Sequence, residues 1–93
     1  MKINTTKAYI VIIGSGALGS YITQLLCKMG NTKTYNYDIV LVDYDEIEPR
    51  NLVSQDFYPS ELGKKKCEAV AERMRGFKTQ VFPLDIKITK DNV

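Results

Sequence analysis

The 93-residue chain is 44% hydrophobic and 26% charged, the balance of a soluble globular domain and not of a disordered or fibrous chain. Its formal charge of +2 and pI near 8.5 are too mild to argue for nucleic acid or a membrane surface as partner, although Lys64, Lys65 and Lys66 form a local positive spot. The length allows one domain, residues 1–93, small for an α/β fold and expected to be incomplete.

The opening "MKINTTK" leads into only a short apolar run, so neither a signal peptide nor a membrane span is expected, and the cytoplasm is the expected compartment. That run, "AYIVIIG" at residues 8–14, is rich in β-branched side chains and reads as a parallel strand buried on both faces. The next segment places Ala17, Leu18, Tyr21, Ile22, Leu25, Leu26 and Met29 on one helical stripe, closed by Gly30. After the polar connection "NTKTYNY", a second apolar strand, "DIVLVDYD", ends in Asp43 and Asp45. The unit is βαβ, and its right-handed connection brings the glycine loop and these acids to the same sheet edge.

Residues 46–60 show no clear period. Over residues 64–75, Cys67, Val70, Ala71 and Met74 recur at helical spacing, with Gly76 as a stop. "TQVFPL" fits a third strand that Pro83 shortens or confines to an edge, and "DIKITKDNV" is a weakly patterned tail. The expected fold is therefore α/β, Rossmann-like and three-layered, with a mostly parallel sheet of which this chain carries a βαβαβ portion. Cys27 and Cys67 sit on apolar helical faces without CxxC spacing, and the chain has no histidine, so a zinc site and a catalytic thiol are both unexpected.

"GSGALGS" supplies GxGxxG at Gly14, Gly16 and Gly19, between a predicted strand and a predicted helix. Gly14 permits the tight turn, Gly16 lets backbone approach a phosphate, and Gly19 allows close helix–strand packing. The same glycines could merely shape the turn. Asp43, at the end of the second strand, stands where a carboxylate holds ribose hydroxyls, which by itself is compatible with NAD, FAD, S-adenosylmethionine or ATP.

From Asp43 the sequence runs "DYDEIEPRNLVSQDFYPSELGKKK". This resembles the D-x-D-x-V-E-x-x-N-L-x-R-Q … G-x-x-K signature of the ThiF/MoeB family, which includes the adenylation domains of ubiquitin-activating enzymes. The matches are Asp43, Asp45, Glu48, Asn51, Leu52, Gln55, Gly63 and Lys66, and with the glycine loop they cover residues 8–76. The resemblance implies adenylation of the C-terminal carboxylate of a ubiquitin-fold protein ending in Gly-Gly, using ATP and Mg2+. It further implies that Asp43 holds ribose, that Asn51 and Gln55 contact phosphates or order the loop, and that Lys66 neutralises phosphate charge, with Lys64 and Lys65 as neighbouring alternatives. Asp45 belongs to the same nucleotide-binding set, and Lys66 and Asn51 are the residues expected closest to the chemistry. No residue is expected to bind a metal, and homodimers or other self-association are implied. Phe57, Tyr58 and Pro59 are expected to pack the loop onto the domain.

One departure is local. Ser54 stands where the signature has Arg, which removes a guanidinium suited to gripping phosphate, and the adjacent Arg50 is not an evident substitute. The second is length, because the family's metal-linked Asp and paired CxxC motifs come later than the residues present. Activity of this chain alone is therefore not expected. Two other readings stay open: a non-catalytic Rossmann-like nucleotide- or protein-binding module, and a fragment of an NAD-dependent dehydrogenase.

Overall fold

The structure, a computed structural model, describes residues 7–14, 16–30 and 36–91. Most of the polar connection expected before the second strand, and the end of the tail, lie outside the described residues. The elements are β1 (Ala8–Ile13), α1 (Ala17–Gly30), β2 (Tyr37–Val42), α2 (Asn51–Ser54), a 3-10 turn (Pro59–Glu61), α3 (Lys66–Arg73) and β3 (Val81–Leu84).

β2 is the centre of the sheet. Its unbroken Ile39–Val42 run is buried throughout because β1 and β3 pair with it in parallel on either side, in the order β1-β2-β3. The register sets Ile10 beside Ile39 and Ile39 beside Val81, so Ile10, Ile12, Ile39, Leu41 and Val81 share one face. Helices α1 and α3 cover it: Cys27 and Met74 pack on Ile39, while Cys67, Ala69 and Val70 pack with Leu41, Ile47 and Phe57. Each such fully buried aliphatic side chain contributes about 1.5–3 kcal/mol. At the amino-terminal end of the sheet, buried Asp38 accepts from Lys7 Nζ (3.2 Å) and the Gln80 amide (2.9 Å), tying all three strands together.

Two expectations fail on the β1–α1 side. β1 is not buried on both faces, since Val11 and Ile13 are 60% and 65% exposed and, among the described residues, no strand pairs with its outer edge. The apolar stripe of α1 is not its core face either. Leu18, Tyr21, Ile22, Leu25 and Met29 are exposed, and the helix buries Ser20, Thr23, Cys27 and Gly30 instead. Small side chains let α1 lie close to the sheet. A Cβ on Gly19 would stand 1.9 Å from the Gly14 carbonyl oxygen, so only glycine fits at that approach. Thr23 Oγ1 donates to the Gly19 carbonyl (2.8 Å), so its burial leaves no unpaired hydroxyl donor.

Smaller differences concern boundaries. The helix expected over 64–75 starts at Lys66, because Lys65 is extended and bridges Glu46, and the strand expected from residue 79 starts at Val81. The aperiodic stretch 46–60 contains α2 and the start of the 3-10 turn, elements too short to show a period. Pro83 does mark an edge. The Ile39 amide donates to Gln80 O and the Asp43 amide to Leu84 O, so by alternation residues 81 and 83 turn their backbone groups away from β2, where a missing N–H costs no ladder bond.

Candidate functional site

A concavity of about 420 Å3 opens at the carboxyl ends of β1 and β2. Gly14, Gly16, Asp43, Asp45, Gln55 and Lys66 line it together, with Ile13, Val42 and Tyr44 and the tail residues Ile86, Lys87 and Ile88. The glycine loop is held there by the Gly14 amide, which donates to Val42 O (2.7 Å), and by a φ of 98° at Gly14 that disfavours any side chain. Gly16 caps α1, its carbonyl accepting from the Ser20 amide (2.9 Å), so the helix amino terminus faces the concavity. Gly19 lies in the adjoining hollow with Ala17, Leu18 and Ile22.

Asp43 follows β2 directly. Its Oδ1 accepts from the Asp45 amide (2.9 Å), a local turn that directs the chain out of the sheet, and its carbonyl accepts from Cys67 Sγ (3.3 Å). The Lys66 amide donates to Asp45 O (2.9 Å), which docks the start of α3 against this turn.

The lysine triplet divides into three environments. Lys64 is at the surface, 3.5 Å from Glu72. Lys65 is occupied by its own neighbourhood: Nζ donates to Tyr44 O (3.1 Å) and lies 3.5 Å from Asp85 and 3.9 Å from Glu46. Only Lys66 lines the concavity, with an 8% exposed side chain and Nζ 3.8 Å from the half-exposed Asp45 carboxylate. It alone of the three lies in the first helical turn.

Gln55 stands over the glycine loop, its Nε2 3.7 Å from where a Gly16 Cβ would sit. Its Oε1 is buried without a hydrogen-bond partner. An acceptor left so costs about 1–3 kcal/mol, a cost that a bound donor would remove. Asn51 is placed differently. It is buried outside the concavity, and its Oδ1 accepts from the Glu48 amide (2.8 Å), bracing the loop from within. Ser54 Oγ donates to Arg50 O (3.3 Å) and Arg50 pairs with Glu48 (2.8 Å), so neither lines the concavity.

The tail residues were not singled out by sequence reasoning; the alternation of Ile86 and Ile88 after β3 was the available signal. Lys87 Nζ lies 5.5 Å from the Tyr44 ring centroid, closing that side. Phe57 is buried in the core, whereas Tyr58 is exposed. Both thiols are buried. Burial, then the Asp38 carboxylate, pushes Cys27 up to about 11, and burial followed by Glu68, Asp43 and Asp85 raises Cys67, so both stay protonated at neutral pH. A larger hollow of about 550 Å3 between α3 and the β3 edge holds none of the expected residues, so the smaller one, with the glycine turn and the buried lysine, is the candidate.

The family model described as "ThiF family" matches residues 2–93. The chain belongs to the ThiF family. Among its relatives, this ThiF-family chain is 31% identical over 98 residues to ubiquitin-like modifier-activating enzyme 5 of Drosophila willistoni, covering 98% of the chain and 22% of that protein. It is 30% identical over 94 residues to "Adenylyltransferase and sulfurtransferase MOCS3" of Xenopus laevis, covering 98% and 20%. The crystal structure of E. coli tRNA N6-threonylcarbamoyladenosine dehydratase, TcdA, in complex with AMP superposes with a TM-score of 0.79 at 30% identity, over 91% of this chain and 34% of that one. The ThiF-family chain thus spans about a fifth of these curated relatives and about a third of TcdA. It shares with TcdA an α/β Rossmann-like architecture of parallel strands and helices.

Proposed function

We propose that this chain forms the nucleotide-binding part of an ATP-dependent adenylyltransferase that activates the C-terminal carboxylate of a ubiquitin-fold protein ending in Gly-Gly. The observation that carries the reading is the convergence of the glycine turn, Asp43, Gln55 and buried Lys66 on one concavity of about 420 Å3, within the range of small-molecule sites. The AMP complex of TcdA and the names of the activating enzyme and adenylyltransferase relatives support it.

ATP fits the residues present. The α1 amino terminus and the glycine turn offer N–H groups and a favourable dipole to phosphate, and Gly16 leaves its approach open. Bound ATP would supply the electrophilic α-phosphorus and a pyrophosphate leaving group. In this reading Lys66 neutralises charge developing on phosphate oxygens, the kind of preorganised stabilisation that dominates phosphoryl and adenylyl transfer. Gln55 orients the nucleotide through its amide, Asp43 holds the ribose, and Asp45 sets the position of Lys66. Asn51 acts by ordering the loop. Mg2+ would come with the polyphosphate. Among the described residues no group of three His, Cys, Asp or Glu could hold a cation, and no step here is assigned to one.

Self-association forms part of the proposal, supported by the exposed apolar side chains of β1 and α1. A cytoplasmic setting is supported by the two free, buried thiols. No helix among the described residues is long and apolar enough to cross a membrane.

Titration of ATP, NAD and S-adenosylmethionine against the chain tests the site. Saturable ATP binding is expected, lost in Lys66→Ala and kept in Lys64→Ala. Preference for NAD, or equal ATP binding by Lys66→Ala, would overturn the assignment. Pyrophosphate exchange by the chain with ATP, Mg2+ and a Gly-Gly-ending ubiquitin-fold protein is expected to be absent, since the chain spans only about a fifth of its curated relatives.

A further inference from the structure

The segment after Gln55 bonds back to it, the Phe57 amide donating to the Gln55 carbonyl (3.0 Å). That segment, residues 56–61, is gathered by one side chain from the far end of α3. Arg73, 15% exposed, donates through Nη1 to Asp56 O (3.0 Å) and Asp56 Oδ2 (3.2 Å), and through Nη2 to Glu61 Oε1 (2.7 Å). Its guanidinium carbon also lies 4.9 Å from the Tyr58 ring centroid and 5.9 Å from that of Phe57. The acceptors are themselves shared. Glu61 Oε1 accepts from the Tyr58 amide (2.8 Å), and Asp56 Oδ2 accepts from Gln24 Nε2 of α1 (3.1 Å). Both helices therefore meet at the residue next to Gln55. Arg73 is absent from the lining of the concavity; its Nη1 and Nη2 are committed to this segment, while its Nε is a buried donor without a partner.

We infer that Arg73 is a positioning residue of the nucleotide site: by clasping residues 56–61 it holds Gln55 over Gly16, and nucleotide affinity depends on a guanidinium that lies outside the site. The inference rests on the proposed ATP site. Lysine cannot replace the fork, because one ammonium cannot reach two carboxylates and a carbonyl while stacking on a ring.

The test compares Arg73→Met, which keeps the apolar stem, and Arg73→Lys, which keeps the charge, with Ile39→Val, which weakens the core cluster that contains no residue of the segment. ATP titrations and amide exchange of residues 55–61 are run at a temperature where circular dichroism shows each variant folded. Both Arg73 variants should lose about tenfold or more in ATP affinity, the worth of a charge-assisted contact, while Ile39→Val stays within about twofold even where its melting point falls as far. Exchange at residues 55–61 should accelerate about tenfold or more in Arg73→Met and stay unchanged in Ile39→Val. If Arg73→Met does not fold, Arg73→Lys carries the comparison. ATP binding that requires Lys66 but survives loss of the guanidinium overturns the inference. If the unsubstituted chain binds no ATP, or Lys66→Ala binds as well, the ATP site has failed, and the exchange rates alone decide whether Arg73 clasps the segment.

Discussion

Glycines 16 and 19 lie three residues apart at the start of α1, one just before it and one in its first turn, yet alanine should do opposite things to them. At Gly19 an added Cβ would meet the Gly14 carbonyl oxygen at 1.9 Å and its carbon at 2.9 Å, both backbone atoms of a turn already held to β2. No flexible neighbour can yield, so α1 must lift from the sheet, and overpacking of this kind costs about 3 kcal/mol or more. For a domain of this size that lowers the melting point by roughly 12 °C or more, at about 4–8 °C per kcal/mol. At Gly16 the nearest atoms to a Cβ belong to the Gln55 amide at 3.7 Å, an ordinary contact, and the cost is that of Ala in place of Gly at a helix N-cap, about 1 kcal/mol or less. The methyl would nonetheless project between Gln55 and the α1 terminus, where phosphate is proposed to approach. Thermal melts paired with ATP titration should separate the two: Gly19→Ala unstable, Gly16→Ala folded but at least about tenfold weaker for ATP. A Gly19→Ala chain melting within a few degrees of the unsubstituted one, or a Gly16→Ala chain as unstable as Gly19→Ala, would refute the packing argument.

Other expectations follow from the loop and the core. Ser54→Arg, on the exposed last position of α2, should strengthen ATP binding about three- to tenfold by returning a phosphate-matching guanidinium; unchanged affinity would show that this position does not face the nucleotide. Asn51→Ala should cost about 1–3 kcal/mol in urea unfolding by orphaning the Glu48 amide, whereas Asn51→Asp, which keeps the acceptor, should cost clearly less. The Cys27 thiol is raised from 9.0 to about 11 in the fold, so its contribution is complete below pH 9.0 and lost as pH rises through about 11. Stability should fall by up to about 2–3 kcal/mol across that window, and Cys27→Ala should flatten the fall; an identical pH profile in the variant would exclude the thiol as its source.

Much of this was readable in the residues, for identifiable reasons. The apolar run Ile39–Val42, β-branched except at Leu41, lacks polar alternation, and the structure buries it at the sheet centre. Glycine spacing located the strand-to-helix turn because Gly14 and Gly19 each answer a backbone constraint, a positive φ and a close approach of α1 to the turn. The face of α1 was misread because periodicity reports which side chains share a face, not which face finds a partner. Serine, threonine and glycine won the sheet through closeness of approach. Among the three adjacent lysines only the family resemblance favoured Lys66 over Lys64 and Lys65; charge and periodicity could not separate them, since their fates depend on where the helix begins and on acids as distant as Asp85. Arg73 carried no motif at all. Its role arises from Asp56 and Glu61, brought to it by the fold.

The two borders of the sheet are not equivalent. Along β3, Pro83 sits at an outward-facing register position and presents no amide there, so a strand arriving from that side would find an interrupted row of donors. β1 contains no proline, and its outer border has no paired strand among the described residues. Lengthening of this sheet is therefore directional. Any added strand is steered to the β1 border, the side that carries the glycine turn, and away from the border where α3 leads into β3.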